Sequence, residues 1–274
     1  MFWDYDTQWG ADRSRAGAGP QAWGALEFEH TERLLELHAR WKVPACFAVV
    51  GSAALPGVRP YHDPGQVRRI HESGHEVGSH SMRHEWLPGL GGADLRRTLR
   101  DSKDAIEQCI GAPVVTFVPP YNQPVDHLEA LSFSLSERRE AGKDRVDLRA
   151  LCEALRETGY AFCRVAYRPL PQRVAETVLR RRLDRPREPR RIGGITCVRL
   201  NGAAGFDGTA ASLLERCATS GGVAIIWGHP HSLAAGQSQD EKHLAPLLAR
   251  VRELEDSGRL RVCLPRDLVD RAAS

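Results

Sequence analysis

The chain has little lysine, little net charge and no long apolar run. Only four of its 274 residues are lysine, and its acidic and basic residues nearly balance, with a formal net charge of +3. So small a charge gives no electrostatic argument for binding nucleic acid or a membrane surface. No stretch approaches the roughly 18 apolar residues of a transmembrane helix, so we expect no membrane span.

The cysteines lack any paired spacing. All seven are scattered, and no Cys-x-x-Cys pair occurs. Several lie within apolar runs, as Cys46 and Cys263 do. An odd number without paired spacing is typical of buried free thiols in a reducing compartment. The early acids at Asp4 and Asp6 are also unlike a signal peptide, so we expect a cytoplasmic protein.

Strand and helix signals alternate along the first half of the chain. Apolar runs predict strands at 1–5, 45–50, 76–78 and 114–117, and apolar stripes predict helices at 28–41, 66–72 and 95–110, with a loop at 11–25. Strands that alternate with helices indicate a parallel sheet or barrel. The apolar content of 42% suits a large core.

The pattern after residue 122 is weaker. It predicts helices at 126–141, 147–158, 210–219 and 244–257, and strands at 161–165, 195–200, 223–227 and 260–264. A basic, proline-broken segment at 176–191 is interpreted as a solvated face, with contact to an anionic substrate as the alternative. No repeat or linker is evident, so we expect one domain over residues 1–274.

Two histidines four residues apart form the strongest chemical motif. His80 and His84 follow a short apolar strand that starts after Gly74. Four residues make one helical turn, so both imidazoles can point the same way. Such a pair needs a third ligand, usually a carboxylate, to bind a divalent metal.

Asp4 and Asp6 offer that carboxylate at the end of the first predicted strand. Alternate residues of a strand share a face, and active sites of parallel α/β folds lie at the carboxyl ends of the strands. If one aspartate binds the metal, the other can take a proton from metal-bound water. The competing interpretation is a pair of acids that caps the following loop.

Three further elements are candidates for the same site. His229 and His231 follow the predicted strand that ends at Trp227, and a histidine there can protonate a leaving amine. Two prolines precede Tyr121, so its backbone amide can be held rigidly as an oxyanion donor. Trp227 can stack on a sugar ring or pack in the core.

Taken together, these motifs resemble the polysaccharide deacetylases, the carbohydrate esterases of family 4 with a NodB-homology domain. The resemblance is carried by the segments 33–51, 74–84 and 95–122, returns at 221–231, and is poor over the divergent region 123–220. It implies an α/β fold, an irregular (β/α)7-type barrel. It also implies a divalent metal, usually Zn²⁺, with Co²⁺, Ni²⁺ or Mn²⁺ as alternatives.

The resemblance implies a role for each matching residue. Asp4 would be the general base, and Asp6, His80 and His84 would hold the metal. The Tyr121 amide would stabilise the oxyanion. His229 would be the general acid, preferred over His231 for its distance from the preceding glycines.

This sequence departs from the family pattern at two places. The position of the arginine that orients the base aspartate is Val118, and the fourth motif, with its Asp and Trp, is not identifiable. Arg164 and Arg199, each on a predicted strand, are candidates to replace the arginine, and neither is preferred. These departures leave the substrate less defined than the metal.

The function expected from this resemblance is removal of an N-acetyl group from an amino sugar or glycan. One alternative is an allantoinase-like hydrolase that acts on a small amide with the same fold. Another is a non-catalytic sugar-binding module, which the retention of all five site residues disfavours. The sequence leaves the oligomeric state open, a homo-oligomer included.

Overall fold

Eight strands form one sheet in the computed structural model, which describes residues 1–14, 22–122, 147–165, 178–179, 185–201, 204–234 and 236–271. The strands are β1 (Phe2–Tyr5), β2 (Cys46–Val49), β3 (Glu76–Ser79), β4 (Thr116–Phe117), β5 (Phe162–Val165), β6 (Arg190–Ile192), β7 (Ile195–Arg199) and β8 (Trp227–Gly228). Their order across the sheet is β6-β7-β5-β4-β3-β2-β1-β8. Strand β6 pairs antiparallel with β7, and every other pairing is parallel.

The two edges of this sheet meet. Arg187, which precedes β6, forms an antiparallel bridge with Val223, which precedes β8. Two backbone hydrogen bonds of 2.9 Å make the bridge. The seven parallel strands and the inserted β6 therefore curl into an irregular (β/α)7-type barrel, and the fold predicted from the sequence is confirmed.

The helices pack around the outside of the sheet. They are α1 (Thr7–Ser14), α2 (Trp23–Trp41), α3 (Pro64–Glu72), α4 (Gly92–Ile110), α5 (Leu148–Glu157), α6 (Gly208–Ser220), α7 (Glu241–Asp256) and α8 (Pro265–Arg271). Their apolar faces and the outward-facing strand residues form the main core. This core fixes the ends of the strands, where the site lies.

Alternation along β1 separates two apolar clusters. Trp3 and Tyr5 belong to the core between sheet and helices. Phe2 belongs to a second cluster with Phe162 and Trp227, which fills the barrel interior. Since successive strand residues face opposite sides, Asp4 shares the interior side with Phe2.

Several predicted elements differ from the structure. Residues 11–14 belong to α1 rather than to a loop, and the strand predicted from residue 223 begins only at Trp227. The strand predicted at 260–264 is wrong. There the amides of Val262 and Leu264 donate to the side chains of Glu255 and Asp267, so no ladder forms.

The remaining expectations concern segments that the structure describes only in part. The helix predicted at 126–141 lies outside the described residues, as do residues 176–177 and 180–184 of the basic segment 176–191. No described helix combines the length and apolarity that crossing a bilayer requires.

Candidate metal centre

The three predicted metal ligands lie together at the carboxyl end of the parallel strands. Asp6 follows β1, and His80 and His84 follow β3. The Asp6 Oδ1 atom lies 3.3 Å from His80 Nε2 and 3.6 Å from His84 Nε2. One ligand atom from each residue lies within 4.8 Å of the others, and all three side chains are buried. Among the described residues this is the one cluster that fits a metal ion.

The donor atoms of this cluster fit a divalent cation. Asp6 Oδ1 is buried and has no hydrogen-bond partner among the described residues. His80 uses Nδ1 to donate a 2.7 Å hydrogen bond to the Val118 carbonyl, which turns its Nε2 toward Asp6. Such a bond fixes the tautomer of a metal-binding histidine. Two imidazole nitrogens and one carboxylate oxygen suit zinc.

Electrostatics in the metal-free protein agree with this arrangement. Burial lowers the pKa of His84 to about 4, so its ring is neutral at pH 7 and can act as a ligand. Burial opposes ionisation of Asp6, but the two histidines outweigh it and hold the pKa of Asp6 below its usual value. Burial also disfavours the charged form of His80, yet the adjacent Asp6 and Asp4 raise its pKa.

The backbone is strained at the centre. Thr7, Ser81, His84 and Tyr121 all have positive φ, between 55° and 65°, although none is glycine. Such conformations concentrate at functional sites. The histidine pair therefore lies in a turn and not in the helix that its spacing predicts. The left-handed residues let the imidazoles converge without a helix.

Asp4 is paired with an arginine inside the barrel. Arg164 Nη1 and Nη2 donate hydrogen bonds of 2.7 Å and 2.6 Å to the two carboxylate oxygens of Asp4. Both side chains are buried, Arg164 being only 1% exposed. Burial alone would raise the pKa of Asp4, but Arg164, followed by His80, holds it below its ordinary value. Asp4 is therefore ionised at neutral pH.

Of the two arginines that the sequence left as candidates, Arg164 is the one that pairs with Asp4. Its guanidinium lies 5.0 Å from the Trp227 ring centroid and 5.3 Å from that of Phe2. Val118, at the family's arginine position, contributes its backbone carbonyl to His80 instead. Trp227 is 5% exposed and lies beside Arg164 in the barrel interior. Its contact with substrate stays a prediction.

His229 lies near the two aspartates, since it is among the groups that lower the pKa of Asp4 and of Asp6. Gln239 Oε1 accepts from the His229 backbone N–H at 2.7 Å and lies 3.2 Å from its Nδ1. An amide oxygen only accepts, so Nδ1 carries the proton. His231, in contrast, stacks on Trp23 with a ring separation of 4.3 Å.

Tyr121 lies beside the histidine pair. Its ring centroid is 4.6 Å from that of His84 and 5.4 Å from that of Trp86. Its φ of 57° turns the chain sharply after Pro120. The backbone amide proposed as an oxyanion donor therefore belongs to a constrained turn in contact with a predicted ligand.

Gly10 leaves room for Asp6, and we expect Gly10→Ala to weaken metal binding. A Cβ atom at Gly10 would lie 2.4 Å from Asp6 Cβ, so the aspartate must shift. Overpacking of this kind costs about 1–3 kcal/mol of stability. Thermal unfolding and the zinc dissociation constant measure both effects. Gly208→Ala is the control, because nothing lies within 4 Å of its new Cβ; equal zinc affinity in both variants would contradict this packing argument.

Two residues beside the centre escaped the sequence analysis. Glu27 lies on the buried stripe of α2 with Thr31 and Leu34, and an acidic residue in such a stripe is the signal that could have found it. Gln239 lies in a loop before α7, where no periodicity marks a partner for His229.

The geometry defines a (β/α)7-type barrel with an Asp–His–His centre. Comparison with known proteins supports the resemblance that the sequence motifs predicted. The family model described as Polysaccharide deacetylase matches residues 20–133. That match includes His80, His84 and Tyr121, while Asp4, Asp6, Arg164 and His229 lie outside it. The predicted resemblance to the polysaccharide deacetylases is confirmed.

Individual relatives match part of the chain. A chitooligosaccharide deacetylase of Sinorhizobium fredii is 34% identical over 92 residues, 33% of this chain and 40% of the relative. A peptidoglycan-N-acetylglucosamine deacetylase of Bacillus cereus is 28% identical over 91 residues, 33% of this chain and 39% of the relative. The matches therefore span about two fifths of these curated relatives.

The fold has a similar counterpart over nearly its whole length. A crystal structure from Mycobacterium smegmatis, described as a candidate polysaccharide deacetylase, superposes with a TM-score of 0.63. The superposition covers 99% of this chain and 88% of the other, at 19% sequence identity. At that identity the likeness concerns the fold.

Proposed function

We propose that this protein is a metal-dependent hydrolase that removes an N-acetyl group from an amino sugar. The observation that carries the proposal is the convergence of Asp6 Oδ1 with the Nε2 atoms of His80 and His84. An ionised, arginine-paired Asp4 close to these ligands adds the second half of a hydrolytic site. The named activities of the two curated relatives give the same reaction class.

Each site residue has a distinct role in this proposal. Asp6, His80 and His84 would hold a divalent cation, which would lower the pKa of a bound water to near 7. Asp4, oriented by Arg164, would accept a proton from the attacking water. The Tyr121 amide donates a hydrogen bond to the substrate carbonyl oxygen as it gains charge. His229, oriented by Gln239, donates a proton to the departing amine.

Zinc is the proposed metal, with Co²⁺, Ni²⁺ and Mn²⁺ as further candidates. The substrate is proposed to be an oligosaccharide of N-acetylglucosamine, since both curated relatives are named for deacetylation of such sugars. The cytoplasmic location stays a proposal, supported by seven cysteines that are free thiols in the structure.

Acetate release from N-acetylglucosamine oligomers tests this function. The metal-free protein, prepared with a chelator, should release no acetate, and one equivalent of Zn²⁺ should restore turnover. Allantoin in a parallel assay represents the small-amide alternative. Turnover of allantoin with no acetate released from any sugar would move the assignment to that alternative, and inactivity on both, in the zinc-loaded protein, would contradict the hydrolase proposal.

A further inference from the structure

Glu27 is a fully buried carboxylate to which the proposed reaction gives no role. It lies on α2 and is 0% exposed. Among the residues that the structure describes, no lysine, arginine or histidine forms a salt bridge with it. An ionised carboxylate buried without a counter-charge is strongly unfavourable. Its position therefore calls for a compensating interaction.

The carboxylate of Glu27 holds the chain where it leaves the metal ligand. Its Oε2 accepts a hydrogen bond from the backbone N–H of Thr7, and the backbone of Asp6 also donates to it. Thr7 has a φ of 55° and begins α1. The first N–H groups of a helix have no partner within it. Glu27 thus caps α1 from a different helix, at the peptide units next to Asp6.

We propose that Glu27 is a positioning residue of the metal centre. By holding the Asp6–Thr7 peptide, it keeps Asp6 Oδ1 between the two histidine nitrogens. This inference rests on the proposed function, because it requires that Asp6, His80 and His84 bind metal. Partners beyond the ligands commonly change metal affinity by about 10–100-fold.

Glu27→Leu tests the proposal, because it removes the acceptor of the Thr7 N–H and keeps a side chain of similar size. We expect its zinc dissociation constant, measured by chelator competition, to rise by about 10–100-fold. We also expect the visible spectrum of its Co²⁺ form to differ from that of the wild type, because the carboxylate ligand is less firmly held. Glu27→Gln keeps an oxygen that can accept this bond, so its zinc affinity should lie closer to that of the wild type.

Glu76→Gln is the matched control. Glu76 is also a buried carboxylate, 5% exposed, but it begins β3 at the opposite end of the barrel. It accepts hydrogen bonds from the Thr116 hydroxyl and the Arg266 backbone N–H. This variant should lose thermal stability while its zinc affinity stays within about twofold of the wild type and its Co²⁺ spectrum is unchanged.

The possible results distinguish this proposal from the proposed function. Glu27→Leu that binds zinc as the wild type does, with an unchanged Co²⁺ spectrum, reduces Glu27 to a helix cap and overturns the proposal. Wild-type protein that binds no zinc overturns the proposed function itself. Unfolding of metal-free Glu27→Leu, followed by circular dichroism, verifies that weaker binding is measured on folded protein.

Discussion

Asp6→Ala and His80→Ala should each remove the bound metal and the hydrolytic activity together. Each substitution deletes one of the three candidate ligands that the described part of the chain brings together. Since the loss of a group that merely orients a ligand weakens metal affinity by about 10–100-fold, loss of the ligand itself should weaken it by more. Without the metal, the pKa of the attacking water would rise far above 7, so turnover should fall by several orders of magnitude.

Metal content after dialysis, measured by mass spectrometry beside acetate release, checks this prediction. The wild type should carry about one equivalent per chain, and each variant should carry little. Asp12→Ala is the control, because Asp12 is an exposed carboxylate on the helix that follows Asp6. Variants that keep stoichiometric metal and wild-type turnover would show that another group holds the metal.

Arg164→Met should destabilise the protein and abolish most of its activity. The substitution leaves the Asp4 carboxylate buried in the barrel without its bidentate partner. Breaking a buried ion pair by removing one member costs about 3–5 kcal/mol. Asp4 would also lose the interaction that orients it as base, and general-base catalysis is worth about 10²–10⁴ in rate.

The destabilisation should depend on pH in a defined direction. The pKa of Asp4 is lowered in the folded protein. Its contribution to stability is therefore present above the unfolded pKa of about 3.9 and is lost as the pH falls through the folded value. In Arg164→Met the buried Asp4 is protonated more readily. The difference in unfolding free energy between wild type and variant should be largest near pH 7 and smaller near pH 4.

Urea unfolding at several pH values measures this difference, and Asp4→Asn completes the cycle. In the Asp4→Asn background, Arg164→Met should have a different effect on stability, because the arginine no longer faces a carboxylate. Arg33→Met breaks an exposed pair with Glu241 and should cost at most about 1 kcal/mol. Additive effects of the two barrel substitutions would contradict the pairing of Asp4 with Arg164.

Local patterns predicted most of the barrel. Short apolar runs placed β1, β2 and β3 correctly, because buried parallel strands leave a simple signal. The run at 260–264 is similarly apolar, but the side chains of Glu255 and Asp267 accept hydrogen bonds from its backbone amides. The apolar pattern of a strand gives no sign that acceptors on neighbouring helices compete for those amides.

The metal ligands were predictable and their supporting residues were not. Asp6, His80 and His84 follow strands that are close along the sheet, so spacing and strand order bring them together. Arg164 contacts Asp4 across the barrel, from a strand 160 positions later in the sequence. A lone arginine facing inward beside Phe162 on β5 was the available signal, but its partner depends on the closed sheet.

The backbone conformation at the metal centre could not be predicted from the spacing of its residues in the sequence. The interval between His80 and His84 suits a helical turn, and the structure brings the rings together through left-handed residues instead. The Thr7 backbone conformation likewise depends on Glu27, which belongs to α2. Both are tertiary effects that override local preference.

Anomalous diffraction at the zinc absorption edge, from crystals of the zinc-loaded protein, tests the central claim most directly. The account predicts one strong peak per chain, about 2.0–2.2 Å from Asp6 Oδ1, His80 Nε2 and His84 Nε2, with Asp4 still paired to Arg164. A centre between these three residues with no peak, or zinc held only by other side chains, would contradict it.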